Sequence, residues 1–384
     1  MNRQKGEIIT IAGFMGLFAL AATIHATTGV MLTSYIDEYS LDGAAQGLCG
    51  TAESIGFILS LFISAFLLTK MPKTRVVLIM AFIMALVLPG VGLHPNRFLF
   101  LCFWYAVFGI SYGIFDSLSS SLISDIYPEK SAKMMSYMRA VYCLGGMTSP
   151  LLLNALMSTG LTWHWVALWA GFVGLGLFMF YFVFSARRLP AGTVNATDQI
   201  DLTGIKDFLL LKGAARTLLF GLMYYGHQIG LTVWIVRYIQ EYLRETRWGI
   251  YALTFYWVGA LLARIILPNL IARHKTLLVF GNACSATLFI AGVLIGNGKI
   301  MCIMILLVGF AEGTTIPMLV DYACSLDRKK STVACSVIIF TNNCGSIVIP
   351  SLIGAIIAAL GANVGIFVLP ALSICCALTA LKME

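Results

Sequence analysis

The chain has 384 residues, of which 59% are hydrophobic and only 11% are charged. Soluble domains carry about 25% charged residues, so this composition excludes a soluble globular protein and places the chain in a lipid bilayer. The formal net charge is +8, but no basic run is interleaved with aromatic residues as in nucleic-acid-binding proteins, so no nucleic-acid partner is expected.

Twelve segments have the roughly 20 apolar residues that a membrane-spanning helix needs. They are residues 8–36, 45–69, 76–93, 98–126, 133–157, 163–186, 216–240, 249–271, 276–296, 300–324, 332–359 and 364–381. Most connections are short, but one is long and polar. This pattern predicts an N-terminal six-helix bundle at 1–186, a cytoplasmic central loop at 187–215 and a C-terminal six-helix bundle at 216–384.

The distribution of basic residues predicts how the chain is oriented. With a cytoplasmic N-terminus, 18 of the 25 lysines and arginines fall in inner segments and five in outer ones. Such a bias is typical of proteins that follow the positive-inside rule. We therefore predict a multi-pass protein of the cytoplasmic (inner) membrane, with both termini in the cytoplasm.

The fourth and fifth spans recur in the second half of the chain. Residues 107–150 align without a gap with residues 307–350, and the shared positions are glycines, turn residues and a proline. The aligned pairs are Gly109 with Gly309, Gly113 with Gly313, Lys130 with Lys330, Ser131 with Ser331, Ser136 with Ser336, Gly145 with Gly345 and Pro150 with Pro350. A repeat of this length indicates two homologous halves. The predicted fold class is an all-α integral membrane protein with twelve helices in two pseudo-symmetric bundles.

Two opposite charges lie at similar depth on either side of one predicted turn. Asp116 precedes the turn near Pro128 by about 11 residues and Arg139 follows it by about 11, so each lies about 17 Å from the turn at 1.5 Å per residue. A bilayer penalises such groups unless they pair or face water. Asp116 and Arg139 therefore form a candidate proton- or substrate-gated switch, and the alternative is a permanent ion pair that only fixes packing.

Other polar residues within spans predict a solute cavity and its gates. His25 and His227 occupy matching places in the first and seventh helices, and an aromatic stripe beside His227 suits a sugar-like or planar solute, although plain packing gives the same pattern. The candidate substrate-binding residues are His25, Thr28, Tyr142, Tyr224, His227, Gln228, Trp234, Asn342 and Asn343. The candidate gating residues are Glu53, Arg264, Glu312 and Asp321. The ten scattered cysteines read as small core residues, and no metal site or cofactor is predicted.

Twelve spans, two halves and basic inner turns after the second and eighth helices resemble the major facilitator superfamily. The fourth and fifth spans are most similar to its fucose, glucose and galactose proton symporters. The similarity rests on Gly109, Gly113 and Asp116, followed by Gly145-Gly146 and Ser149-Pro150, with Arg139 where those symporters have histidine. The resemblance implies two bundles that rock around a central site, and it implies a role in proton coupling for Asp116.

The expected function is secondary active transport of a small polar solute, sugar-like or an organic acid, by alternating access and proton-coupled symport. The alternatives within transport are proton-antiport efflux of drugs or metabolites and organic-anion exchange. A membrane sensor without a solute cavity is a further alternative, whereas no catalytic motif indicates an enzyme. The expected partners are the solute, protons and the bilayer, and we expect a monomer.

Overall fold

The computed structural model describes residues 3–40, 48–93, 97–189, 199–271 and 274–383. Within these ranges every regular element is helical. Part of the predicted central loop, residues 190–198, lies outside the described residues.

By internal packing the chain divides into two compact units. The first unit comprises Met1–Ile126 and Val141–Asp201, and the second unit comprises Tyr127–Ala140 and Leu202–Glu384. The short stretch 127–140 therefore packs with the second unit although it lies within the first half of the sequence. The predicted boundaries at 186 and 216 stay a prediction.

Among the residues that the structure describes, the first half of the sequence supplies seven α-helices. They are α1 (Arg3–Val30), α2 (Leu32–Tyr39), α3 (Leu48–Leu68), α4 (Lys73–Gly92), α5 (Phe98–Ile126), α6 (Ser131–Ser158) and α7 (Trp163–Phe180). A π-helical turn, Tyr181–Ser185, and a 3₁₀ turn, Ala186–Arg188, extend α7. The predicted first span is thus two helices. The N–H of Met31 still donates to the carbonyl of Thr27 and that of Tyr35 to Met31, each at 3.0 Å, so the backbone hydrogen bonding continues between α1 and α2.

The described part of the second half supplies nine more α-helices. They are α8 (Leu202–Leu210), α9 (Ala214–Arg237), α10 (Thr246–Leu270), α11 (His274–Ile295), α12 (Gly298–Glu312), α13 (Thr315–Leu326), α14 (Ser331–Leu360), α15 (Ala362–Gly365) and α16 (Val368–Leu381). The short helix α8 lies in the predicted central loop. The predicted tenth span is broken into α12 and α13, and this break lies beside the candidate gating residue Glu312.

Eleven helical segments of the described chain are long and apolar enough to cross a membrane. The predicted seventh span corresponds to the 24-residue helix α9, which is not among the eleven. Polar residues such as His227 and Gln228 lower the mean hydropathy of α9. Both make contacts inside the second unit. On the other helices large apolar side chains are left exposed, among them Phe62, Leu99 and Phe172, as expected for surfaces that face lipid tails.

The two halves repeat the same pattern of helix packing. In the first unit α5 packs on α3 and α4, and α4 also packs on α7. In the second unit α12 packs on α10 and α11, and α11 also packs on α16. The aligned glycines make equivalent close approaches: a Cβ on Gly109 would lie 2.1 Å from the carbonyl oxygen of Glu53, and one on Gly309 would lie 2.2 Å from that of Tyr256. These positions therefore need glycine so that two helix backbones can touch.

Candidate functional site

A histidine and a glutamate of the first unit form a hydrogen-bonded pair. Nδ1 of His25 on α1 lies 2.7 Å from Oε1 of Glu53 on α3. The His25 side chain is 58% exposed, whereas that of Glu53 is 5% exposed. The histidine of the pair is thus exposed, while the glutamate is buried in the protein.

The sequence placed His25 among substrate-binding residues and Glu53 among gating residues without pairing them. Residue counting gives no signal for the pair, because His25 lies 14 residues before the end of α2 at Tyr39, whereas Glu53 lies only five residues after the start of α3 at Leu48. The depth argument that matched Asp116 with Arg139 therefore does not match His25 with Glu53.

Aromatic side chains stack near Asp116 in the first unit. The rings of Phe108 and Tyr112 are 5.6 Å apart and almost parallel, and Tyr112 stacks in the same way on Tyr142 at 5.9 Å. Asp116 lies one helical turn beyond Tyr112 and is buried. Thr28, also predicted to bind substrate, is half-buried on α1.

Arg139 is buried and belongs to the stretch that packs with the second unit. Its backbone carbonyl accepts a hydrogen bond from Nη1 of Arg264 at 2.7 Å. Asp116 lies in the first unit, and the pairing of Asp116 with Arg139 stays a prediction. Asp321, in the middle of α13, accepts a hydrogen bond from the hydroxyl of Ser131 and lies 2.7 Å from Nε2 of His274. The stretch 127–140 is thus tied to two of the predicted gating residues.

A second histidine–glutamate pair lies in the second unit and is sealed. His227 on α9 and Glu312 at the end of α12 both have side chains that are 0% exposed, with 3.1 Å between Nε2 and Oε2. Oε1 of Glu312 also accepts from the hydroxyl of Tyr256 at 2.9 Å, and Oε2 accepts from the hydroxyl of Ser285 at 2.7 Å. The carboxylate is therefore held by side chains of three helices, α9, α10 and α11.

The helix break next to Glu312 is capped by side chains. Pro317 has no N–H, so it cannot donate to the carbonyl four residues earlier, at Gly313. Nε of Arg264 donates to that carbonyl instead, at 2.7 Å. The hydroxyl of Tyr224 donates to the carbonyl of Glu312 at 3.0 Å. Arg264, predicted as a gating residue, thus satisfies backbone groups at the break.

The other predicted substrate-binding residues of the second unit also make internal contacts. Nε2 of Gln228 donates to the hydroxyl of Tyr256 at 3.1 Å, and Nε1 of Trp234 donates to the carbonyl of Pro350 at 3.1 Å. The amide of Asn342, with its nitrogen turned towards the backbone, donates to the carbonyls of Gly221 and Ile338 at 3.2 Å each. Asn343 donates to the carbonyl of Ile339, four residues earlier on its helix, at 2.9 Å.

Sequence reasoning missed Tyr256 and Ser285, the two hydroxyl donors to Glu312. Neither belongs to a recognisable motif, and only the packing of α10 and α11 against α12 brings them to the carboxylate. Among the described residues, no group of three or more histidine, cysteine, aspartate or glutamate side chains is arranged to hold a metal ion.

Two solved structures of transporters share this fold over nearly the whole chain. The Escherichia coli fucose:proton symporter FucP matches with a TM-score of 0.80 at 12% identity, covering 98% of this chain and 99% of that one. The human organic anion transporter TETRAN matches with a TM-score of 0.74 at 13% identity, covering 100% of both chains. At these identities the likeness concerns the fold alone.

The sequence comparisons lead to the same family. Over 200 residues the chain is 22% identical to a TsgA homolog of Yersinia pestis (strain Pestoides F), covering 52% of this chain and 50% of that protein. The chain thus spans about half the length of the curated relatives it matches. A model of the Major Facilitator Superfamily matches residues 14–337, most of the chain. The predicted all-helical membrane fold is confirmed, and the chain belongs to the Major Facilitator Superfamily of multi-pass membrane transporters.

Proposed function

We propose that the protein is a secondary active transporter that carries a small polar solute, sugar-like or an organic acid, together with protons. It works by alternating access in the cytoplasmic membrane, as a monomer with both termini in the cytoplasm. The fold that it shares with the fucose:proton symporter FucP supports symport of this kind. The observation that carries the proposal is the His25–Glu53 pair.

The His25–Glu53 pair supports a polar cavity because of where its exposed member lies. His25 lies near the middle of the α1–α2 run, within the apolar segment Ile8–Thr28, yet more than half of its side chain is exposed. An ionisable group that faced lipid at this depth would cost several kcal/mol, and such groups almost always face a water-filled cavity or the bundle interior. We therefore assign His25 to a solvated cavity, with Glu53 behind it as a buried proton acceptor.

Asp116 and Arg139 complete the proposal as the predicted coupling residues. Asp116 is a buried carboxylate beside the Tyr112–Tyr142 stack. Aromatic rings suit a sugar ring, and a buried carboxylate that takes up a proton changes the charge of its surroundings. Solute binding and proton binding would then occur one helical turn apart.

The test is transport by the purified protein in liposomes. Thermal shifts with a panel of sugars and organic acids select a solute, and its uptake is then measured with and without an inward proton gradient. We expect the gradient to drive accumulation of the solute. Asp116→Asn should abolish that accumulation and still permit exchange of solute across the membrane without a gradient. Asp207→Asn, a control at a half-exposed carboxylate on α8, should accumulate solute like the parent chain.

Three outcomes would contradict the proposal or redirect it. Full gradient-driven accumulation by Asp116→Asn would remove Asp116 from coupling. Expulsion of solute by an inward proton gradient would make the protein a proton antiporter for efflux. Exchange of organic acids for one another, unaffected by the gradient, would favour organic-anion exchange, for which the shared fold of the human organic anion transporter TETRAN is the precedent.

A further inference from the structure

The sealed pair in the second unit has a hydrogen-bonding pattern that fixes its proton content. Nδ1 of His227 lies 2.9 Å from the carbonyl oxygen of Leu369. A carbonyl can only accept, so Nδ1 carries a hydrogen and donates it. Any hydrogen between His227 and Glu312 must therefore reside on Nε2 or on Oε2.

The contact between Nε2 and Oε2 requires a hydrogen of its own. At 3.1 Å two bare lone pairs would repel each other, and a carboxylate with no exposed surface would face a neutral ring. Either the ring is an imidazolium donating to a carboxylate, or a carboxylic acid donates to a neutral ring. Both arrangements contain the same number of protons, and both are neutral overall.

We infer that His227 and Glu312 form a binding site for a single proton inside the second unit. The ligand is a proton shared between Nε2 and Oε2, and its loss would leave a negative charge buried out of reach of water, which is strongly unfavourable. The folded protein therefore retains this proton at a pH at which a free histidine and a free glutamate hold none between them. This inference does not depend on the proposed transport function.

The surroundings of the pair contribute no competing titration near neutral pH. Tyr224 lies beside the pair on α9, Tyr256 and Arg264 approach from α10, and Ser285 approaches from α11. Helix α16 contributes Ser373, whose hydroxyl is 3.4 Å from both ring nitrogens, and Cys376, which interacts electrostatically with Glu312. Tyrosine, cysteine and arginine ordinarily titrate above about pH 8, so among these groups only the pair changes its proton count on unfolding between about pH 6.5 and 8.

The test measures thermal stability against pH and needs no solute. At this site the folded protein holds one proton more than the unfolded protein above about pH 6.5, where a free histidine becomes neutral, so the contribution of the pair to stability falls as pH rises. In Glu312→Gln the amide donates to Nε2 without a titratable proton. Relative to this variant, the folding equilibrium constant of the parent chain should fall tenfold per pH unit between about pH 6.5 and 8.

Two further variants keep the test decisive. Glu241→Gln, at an exposed carboxylate paired with Arg237, should run parallel to the parent chain. Should Glu312→Gln not fold, the double variant His227→Phe/Glu312→Leu replaces both partners by apolar side chains and should show the same relative slope. Parallel profiles for the parent chain and the variant that lacks the pair would overturn the inference, because no additional proton would then be held.

Discussion

At the residue scale, each half of the chain places a histidine from its first predicted span against a glutamate, but the surroundings of the two pairs differ. His25 is exposed and contacts a buried Glu53, whereas His227 and Glu312 are both fully buried. An exposed histidine can exchange its proton with water directly. A sealed pair exchanges its proton only when the surrounding helices move, so the two pairs should respond to pH on different timescales.

The exposure of His25 predicts a specific labelling pattern. In a chain whose own cysteines are replaced, His25→Cys should react with a charged, membrane-impermeant thiol reagent, because a solvated cavity admits such a reagent. Phe62→Cys, at a residue of α3 that is 62% exposed and apolar, should react only with lipid-soluble reagents. The extent of labelling is measured by mass spectrometry after reconstitution into liposomes. Equal protection of both cysteines from the charged reagent would show that position 25 faces lipid.

How far the site could be predicted depends on how local its contacts are. His25 and Glu53 lie on consecutive predicted spans but at unequal distances from the turn between them, so residue counting did not pair them. Glu312 depends on Tyr256 and Ser285, which lie 56 and 27 residues away in sequence. No spacing rule relates these positions, because helix packing alone determines which faces meet.

At the element scale, repeated glycines set the contacts between helices. Gly109 lets α5 touch α3 and Gly309 lets α12 touch α10, each against a backbone carbonyl that cannot move aside. The sequence alone aligned these two glycines, and the structure shows that both lie where two helix backbones are in contact. The break between α12 and α13 was not predicted, although Gly313 and Pro317 are strong signals for a discontinuity.

Replacing the crossing glycines should destabilise the protein. Gly109→Ala and Gly309→Ala each force a methyl group against backbone atoms about 2 Å away, which should cost about 1–3 kcal/mol, the usual range for overpacking. The matched control is Gly176→Ala on α7, where no atom lies within 4 Å of the added methyl group, and its stability should be unchanged or slightly higher. Thermal unfolding in detergent measures all three. Similar unfolding temperatures for Gly309→Ala and Gly176→Ala would contradict this account.

At the scale of the whole molecule, the distribution of basic residues predicts the orientation in the membrane. With a cytoplasmic N-terminus, the turn between α5 and α6 lies inside the cell and the turn between α6 and α7 lies outside. Both turns present exposed residues, Glu129 in the first and Thr159 in the second. Accessibility measured at Glu129 and at Thr159 can therefore show which side of the membrane each turn faces.

Single cysteines at these two turns test the orientation. Thr159→Cys should be labelled by an impermeant thiol reagent on intact cells, whereas Glu129→Cys should be labelled only after the membrane is opened. The positive-inside rule is the physical reason, since inner turns carry most of the lysines and arginines. The reverse labelling pattern would invert the topology and place both termini outside.

The helix break beside Glu312 limits how α10 and α13 can move relative to each other. Because Pro317 lacks an N–H, the carbonyl of Gly313 lacks the backbone donor four residues later in every conformation, and in the membrane interior an unmet carbonyl is strongly disfavoured. Arg264 supplies that donor and also serves the carbonyl of Arg139. During motion, α10 must therefore travel with α13 as one body, or water must enter at Gly313 in place of the guanidinium. Water at the carbonyl of Gly313 would therefore indicate that α10 and α13 move relative to each other. Without water there, the two helices move as one body.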